Sequence, residues 1–170
     1  MLRRMRSGAL QTVDVGASVR HPIAAPEAIA VDVLGRAALA AGAPAPATIR
    51  RYARAAAGAC GLRCGHLAVH LVEADRIAQL NGDHRGRRRP TDVLAFPIDG
   101  IEASRGWASG TPPPELGDVF ICPQFASDLL EALVHGVLHL CGMDHERDGG
   151  EMLALQDQLL FALSRRRSRR

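Results

Sequence analysis

His135-Gly-Val-Leu-His139-Leu-Cys141-Gly142-Met143-Asp144-His145 is the stretch on which the reading of this chain turns. His135 and His139 are four apart, so on a helix both rings leave one face, a turn from each other. Gly142 ends that helix, because a residue free to take positive φ suits a helix C-terminus. Met143 and Asp144 then turn the chain back and bring His145 toward the same point. Three imidazoles delivered by a helix and the turn after it leave one vertex of a tetrahedron open, as a catalytic zinc requires and a structural one does not. The plainer alternative is a chance cluster of histidines on a packing helix; the third histidine behind a glycine stop argues for the metal. Imidazole suits zinc, and nickel, copper and iron take the same donors.

An absence within the stretch is as informative. Helical zinc proteases read H-E-x-x-H, with the glutamate as general base. Here that position is Gly136, which has no side chain, so proteolysis by that route is disfavoured. The glycine instead lets another backbone, or a substrate, approach the helix closely.

The flanking sequence supports a folded domain around this centre. A chain of 170 residues suits one domain and can bury a core without staples. Net charge is +3, Lys+Arg outnumbering Asp+Glu by 21 to 18, so the distribution of charge matters more than its total. Cys60, Cys64, Cys122 and Cys141 show no C-x-x-C pairing and, with no secretion signal, read as reduced thiols of a cytoplasmic protein. Cys141 is expected on the core side of its helix rather than on the metal. No apolar run approaches the length that spans a bilayer, so no membrane partner is expected.

Residues 1–27 read as a basic, poorly ordered extension, with alternation over Thr12–Val19 offering a strand. The domain is expected over 28–164. Ala28–Leu34 is the first predicted strand; the alanine-rich residues 35–41 leave a helical alternative. Pro44 and Pro46 mark a loop before a helix over Ala47–Cys60, closed by Gly61. His66–Glu73 alternates as a second strand. Its His66 and His70 lie too far apart along a strand to share one ion easily and read as ordinary strand histidines. Ala74–Gly82 is a short helix, followed by a loop carrying Arg85, Arg87, Arg88 and Arg89. That cluster reads equally as a solvated charge run or as a phosphate clamp, since guanidinium forks bind phosphate oxygens bidentately. Val93–Pro97 and Asp118–Ile121 are strands, separated by a long Gly/Pro/Ser-rich loop, Asp99–Pro114. Trp107 on that loop is expected as an anchor rather than a base-stacking platform. Ser127 is the predicted N-cap of the histidine helix, Asp128–Cys141, whose Leu129, Leu130, Leu133, Val137 and Leu140 form the buried side. After Gly149-Gly150, Met152, Leu155, Leu159 and Leu163 give a last helix, Glu151–Leu163, a core stripe. Residues 165–170 form a basic tail that favours a polyanion when it is not simply solvated. The elements predict an α+β fold: a small, mostly four-stranded sheet with helices packed on it and the metal helix central.

His135–His145 resembles the H-G-x-L-H-L-x-G-[YF]-D-H signature of the YbeY family of bacterial endoribonucleases and ribosomal RNA maturation factors. Two further blocks are similar to that family: Asn81–Arg85 (NGDHR) followed by Pro90–Pro97 (PTDVLAFP), and Leu116–Pro123 (LGDVFICP). They occur in family order and, with weaker flanks, cover residues 28–164. The eleven-residue signature is far more specific than a bare H-x-x-x-H. This chain departs from the pattern at His84 for an aromatic, Ala95 for serine and Met143 for tyrosine, none of which removes a ligand. It also lacks the extra helical stretch that members carry between the L-G-D strand and the H-G motif, which shortens one expected cleft wall.

The resemblance implies a mixed sheet, with Arg85 as the family's active-site arginine. It also implies single-stranded RNA as substrate, in 16S 3′ end maturation and ribosome quality control on the small ribosomal subunit with its associated proteins. A zinc ion on His135, His139 and His145 would polarise the scissile phosphate and lower the pKa of its fourth-site water. Cleavage would then use that water or the RNA's own 2′-OH, and Arg85 would neutralise the growing charge. Asp144 is expected to orient a histidine or cap the turn. Glu131, one helical turn before His135, reads as an outer partner, as a base acting through water, or as a solvated glutamate. Two rival classes arise from the same residues: a zinc hydrolase of another substrate, and a non-catalytic, metal-stabilised ribosome-assembly factor.

Overall fold

Alternation in the strands decides what the sheet buries. In β1 (Ile29–Leu34) Ile29 and Val31 point one way, and Leu67, Val69 and Leu71 of β2 (Gly65–Leu71) join them on that face. Val119 and Ile121 of β4 (Glu115–Ile121), with Val93 and Ala95 of β3 (Val93–Pro97), complete this face. The strands lie in the order β1-β2-β4-β3, with β1, β2 and β4 parallel and β3 antiparallel to β4. The mixed sheet of the α+β fold is thus present. A computed structural model describes residues 29–35, 43–108 and 111–167. The expectations for residues 1–27, for 36–41 and for the last residues of the tail lie outside them.

Three helices cover the apolar face. α1 (Pro46–Ala59) packs on β1, α4 (Leu129–Leu140) on β3 and β4, and α5 (Glu151–Arg167) on α4. α4 is central to this layer, touching both α1 and α5 as well as the sheet. Its Leu133, Val134, Val137 and Leu138 are completely buried, each contributing roughly 1.5–3 kcal/mol relative to exposure. On the other face a smaller core forms where Ile77 and Leu80 of α2 (Ala74–Arg85) meet Leu94 and Cys122. None of the described helices is long and apolar enough to cross a membrane.

Several boundaries differ from expectation, each for a local reason. Pro46 is the first residue of α1 rather than loop, because the first turn needs no proline N–H. β2 stops at Leu71, since Glu73 serves as N-cap of α2. α2 continues through Arg85 and ends at Gly86, whose φ of 67° closes it; Arg85 therefore sits on a helix, not on the loop after it. The predicted loop over Asp99–Pro114 contains a short helix, α3 (Gly100–Arg105), and Trp107 anchors the segment leading into β4 by donating to the carbonyls of Thr111 and Pro112. Asp128, not Ser127, caps α4: its carboxylate accepts from the backbone N–H of Leu130 at 2.7 Å and of Glu131 at 3.1 Å. α5 runs on to Arg167, so the start of the expected tail continues the helix.

Candidate metal centre

The C-terminus of α4 builds the site. The N–H of Gly142 bonds the carbonyl of His139 at 2.9 Å and that of Met143 bonds Leu138 at 3.1 Å, a Schellman closure that needs positive φ at Gly142, here 84°. This closure throws the Met143 carbonyl back over the helix, where it accepts from Nδ1 of His139 at 2.9 Å. Asp144 holds the next turn: its carboxylate accepts from the N–H of Glu146 at 3.0 Å and pairs with Arg147 at 3.3 Å. Both contacts are those of a cap on the turn. The turn it caps presents His145 to the helical pair.

The three rings converge. Their centroids lie 4.7, 5.0 and 5.2 Å apart, and one nitrogen of each falls within 4.8 Å of the others. Nε2 of His135 and Nε2 of His139 are 3.1 Å apart, close to the roughly 3.3 Å that separates two imidazole donors on a tetrahedral zinc at 2.0–2.1 Å. Both Nδ1 atoms donate to fixed oxygens, His139 to Met143 and His135 to Oε1 of Gln156 at 2.9 Å. Each Nε2 is therefore a bare lone pair facing the other, an arrangement that a cation between them stabilises. Burial and the neighbouring His135 hold His139 below the ordinary histidine value. The donor set fits a transition metal.

The histidines form the floor of an open cleft of about 760 Å³ whose rim carries Arg85, Arg87, Thr91, Asp92 and Glu146. Arg85 and Arg87 reach this cleft, and with Arg89 they line an adjoining groove of about 220 Å³. Arg88 lines neither cavity, and the base of its side chain lies beside Gly82 of α2. No ion pair among the described residues engages any of the four. Glu131 faces a separate cavity of about 240 Å³ on the far side of His135, where it accepts from Nε2 of Gln156 at 3.4 Å. Gly136 lets the sheet close on the helix, since a Cβ there would meet Val119 Cγ1 at 2.7 Å and Val93 Cγ2 at 2.8 Å, and it also lines the cleft.

The other candidates stay outside the centre. His66 bonds Glu115 at 2.6 Å and Asp32 at 3.2 Å, and His70 bonds Asp118 at 2.7 Å while stacking on Phe120. Both are strand histidines on the face away from the main core. Cys141 is buried, and the neighbouring Cys60 thiol pushes its own thiol up, burial adding to the effect, while Cys60 is held down. Gln156 is a residue of the site that sequence reasoning misses; its signal is a polar side chain interrupting the apolar stripe Met152, Leu155, Leu159, Leu163.

Fold and site together define a class: an α+β protein in which one helix and the turn after it bring together three histidines able to hold a metal ion, in a cleft that two arginines also line. The family model for endoribonuclease YbeY matches residues 46–164. An Endoribonuclease YbeY of Salinispora tropica is 42% identical over 121 residues, covering 61% of this chain and 77% of its own length. An Endoribonuclease YbeY of Saccharopolyspora erythraea is 42% identical over 109 residues, covering 55% of this chain and 60% of its own. A solution structure of a Thermotoga maritima protein aligns with 82% of this chain and 93% of that one, at 26% identity and a TM-score of 0.48. This chain belongs to the endoribonuclease YbeY family.

Proposed function

We propose that this protein is a zinc-dependent, single-strand-specific endoribonuclease of the cytoplasm, acting in 16S 3′ end maturation and ribosome quality control on the small ribosomal subunit. The observation that carries this reading is the pairing of two Nε2 lone pairs, 3.1 Å apart, with free guanidinium groups on the rim of the same cleft. When bound by His135, His139 and His145, zinc supplies Lewis-acid polarisation of the scissile phosphate and activation of the nucleophile. The protein's own residues do the rest. Arg85, fixed on the last turn of α2, binds a phosphate oxygen and neutralises the charge that grows on it. Arg87 and Arg89 hold the neighbouring phosphates along the adjoining groove. Gly136 brings α4 against β3 and β4, so the ligands ride on a rigid element. The test is cleavage of a defined, single-stranded, rRNA-like fragment by the purified zinc form, with metal content measured alongside. Cleavage that His139→Ala abolishes supports the reading. A protein that takes up zinc but leaves that fragment whole refutes it, in favour of a metal-stabilised assembly factor or a hydrolase of another substrate.

A further inference from the structure

Gln156 is 6% exposed on α5, among apolar neighbours. Burying a primary amide is unfavourable unless both of its ends are hydrogen-bonded. Both are used here. Nε2 donates to Oε1 of Glu131 at 3.4 Å, and Oε1 accepts from Nδ1 of His135 at 2.9 Å. A carboxylate only accepts, so Glu131 settles which end of the amide faces which neighbour. The amide oxygen turned toward His135 requires a proton on Nδ1, and that leaves Nε2 as the lone-pair atom. Nε2 is the atom that faces Nε2 of His139 at 3.1 Å.

We infer that Gln156 is a positioning residue of the metal centre. A relay running Glu131, Gln156, His135 holds His135 in its Nδ1-protonated tautomer and aims Nε2 at the ion. This rests on the reading of the histidines as a zinc site and deepens it. The group that touches the ligand is a neutral amide, and the charged carboxylate stands one residue further out. An ion held by three neutral imidazoles, with no carboxylate directly behind His135, keeps more of its positive charge for a phosphate. The relay also ties α5 to the centre, so a helix that contributes no ligand controls the geometry of one.

Gln156→Leu removes both hydrogen-bonding ends at similar volume, whereas the double variant Glu131→Gln/Gln156→Glu keeps an acceptor for Nδ1–H and a donor behind it. Chelator competition should show zinc affinity about 10–100-fold weaker in Gln156→Leu and not weakened in Glu131→Gln/Gln156→Glu. Ring ¹⁵N spectra of the metal-free proteins should show one Nδ1–H tautomer for His135 in the wild type and a mixture in Gln156→Leu. Zinc affinity and tautomer unchanged in Gln156→Leu, whatever its melting temperature, would make Gln156 a packing residue and overturn the inference. So would a Glu131→Gln/Gln156→Glu protein that loses zinc as badly as Gln156→Leu. These readouts are metal affinity and ring protonation, so a failure of RNA cleavage alone counts against the proposed function and not against the relay.

Discussion

Gly136 stands where helical zinc proteases carry their glutamate, and its role here is steric. The β-carbon of an alanine would press on Val119 and Val93 at under 3.0 Å, so α4 would have to lift from the sheet that supports it. Gly136→Ala is expected to destabilise the metal-free protein by about 1–3 kcal/mol, outweighing any gain in helix propensity, as urea unfolding would show. The arginines separate in the same way, by where each side chain goes. Arg87 lines the metal cleft and Arg88 lies on α2. Removing Arg87 should flatten the salt dependence of single-stranded RNA affinity by ~0.7 in log–log slope, the value for one lost phosphate contact. Removing Arg88 should leave that slope unchanged. Equal slopes for the two variants would sink this assignment.

At the scale of elements, α4 depends on its cap. Asp128 satisfies two of the free N–H groups at the start of the helix, so Asp128→Ala should cost about 1 kcal/mol, read as a lower melting temperature with the metal site still competent. The three parallel strands carry a pH-dependent tie. His66 on β2 bridges Glu115 of β4 and Asp32 of β1, and the Glu115 bond, with that of Asp32 second, raises its pKa above the ordinary 6.5. A raised histidine contributes stability that is complete below the unfolded value and is lost as pH rises through the folded one. Because both carboxylates are well exposed, the contribution is on the order of 0.5 kcal/mol. The urea midpoint of the wild type should therefore fall relative to that of His66→Gln between about pH 6 and pH 8. A difference that stays constant over that window would show that the bridge is not coupled to folding.

At the scale of the molecule, a metal bound by the three histidines would link folding to the site. His135, His139 and His145 come from a helix end and the turn beyond it, and a ligand that binds the folded state alone raises stability by mass action. Zinc at a thousandfold excess over its dissociation constant should add about 4 kcal/mol, seen as a higher melting temperature that a chelator reverses. His139→Ala should melt at one temperature with or without zinc.

The convergence of the three histidines, the glycine stop, the strand β3 and the α+β class were legible in the sequence because each depends on short-range spacing: i to i+4 on a helix, a positive-φ residue after it, alternation along a strand. Three features were not legible. Arg85 belongs to α2 because Gly86, rather than Gly82, supplies the left-handed residue that ends the helix. Asp128 outcompetes Ser127 as cap through the backbone conformation at the start of α4. Gln156 reaches His135 across 21 residues, and only the packing of α5 against α4 brings an amide to an imidazole. Local periodicity determines which residues share a face. Which faces then meet is decided by burial of the whole core, and that is where the outer partners of the metal ligands are chosen.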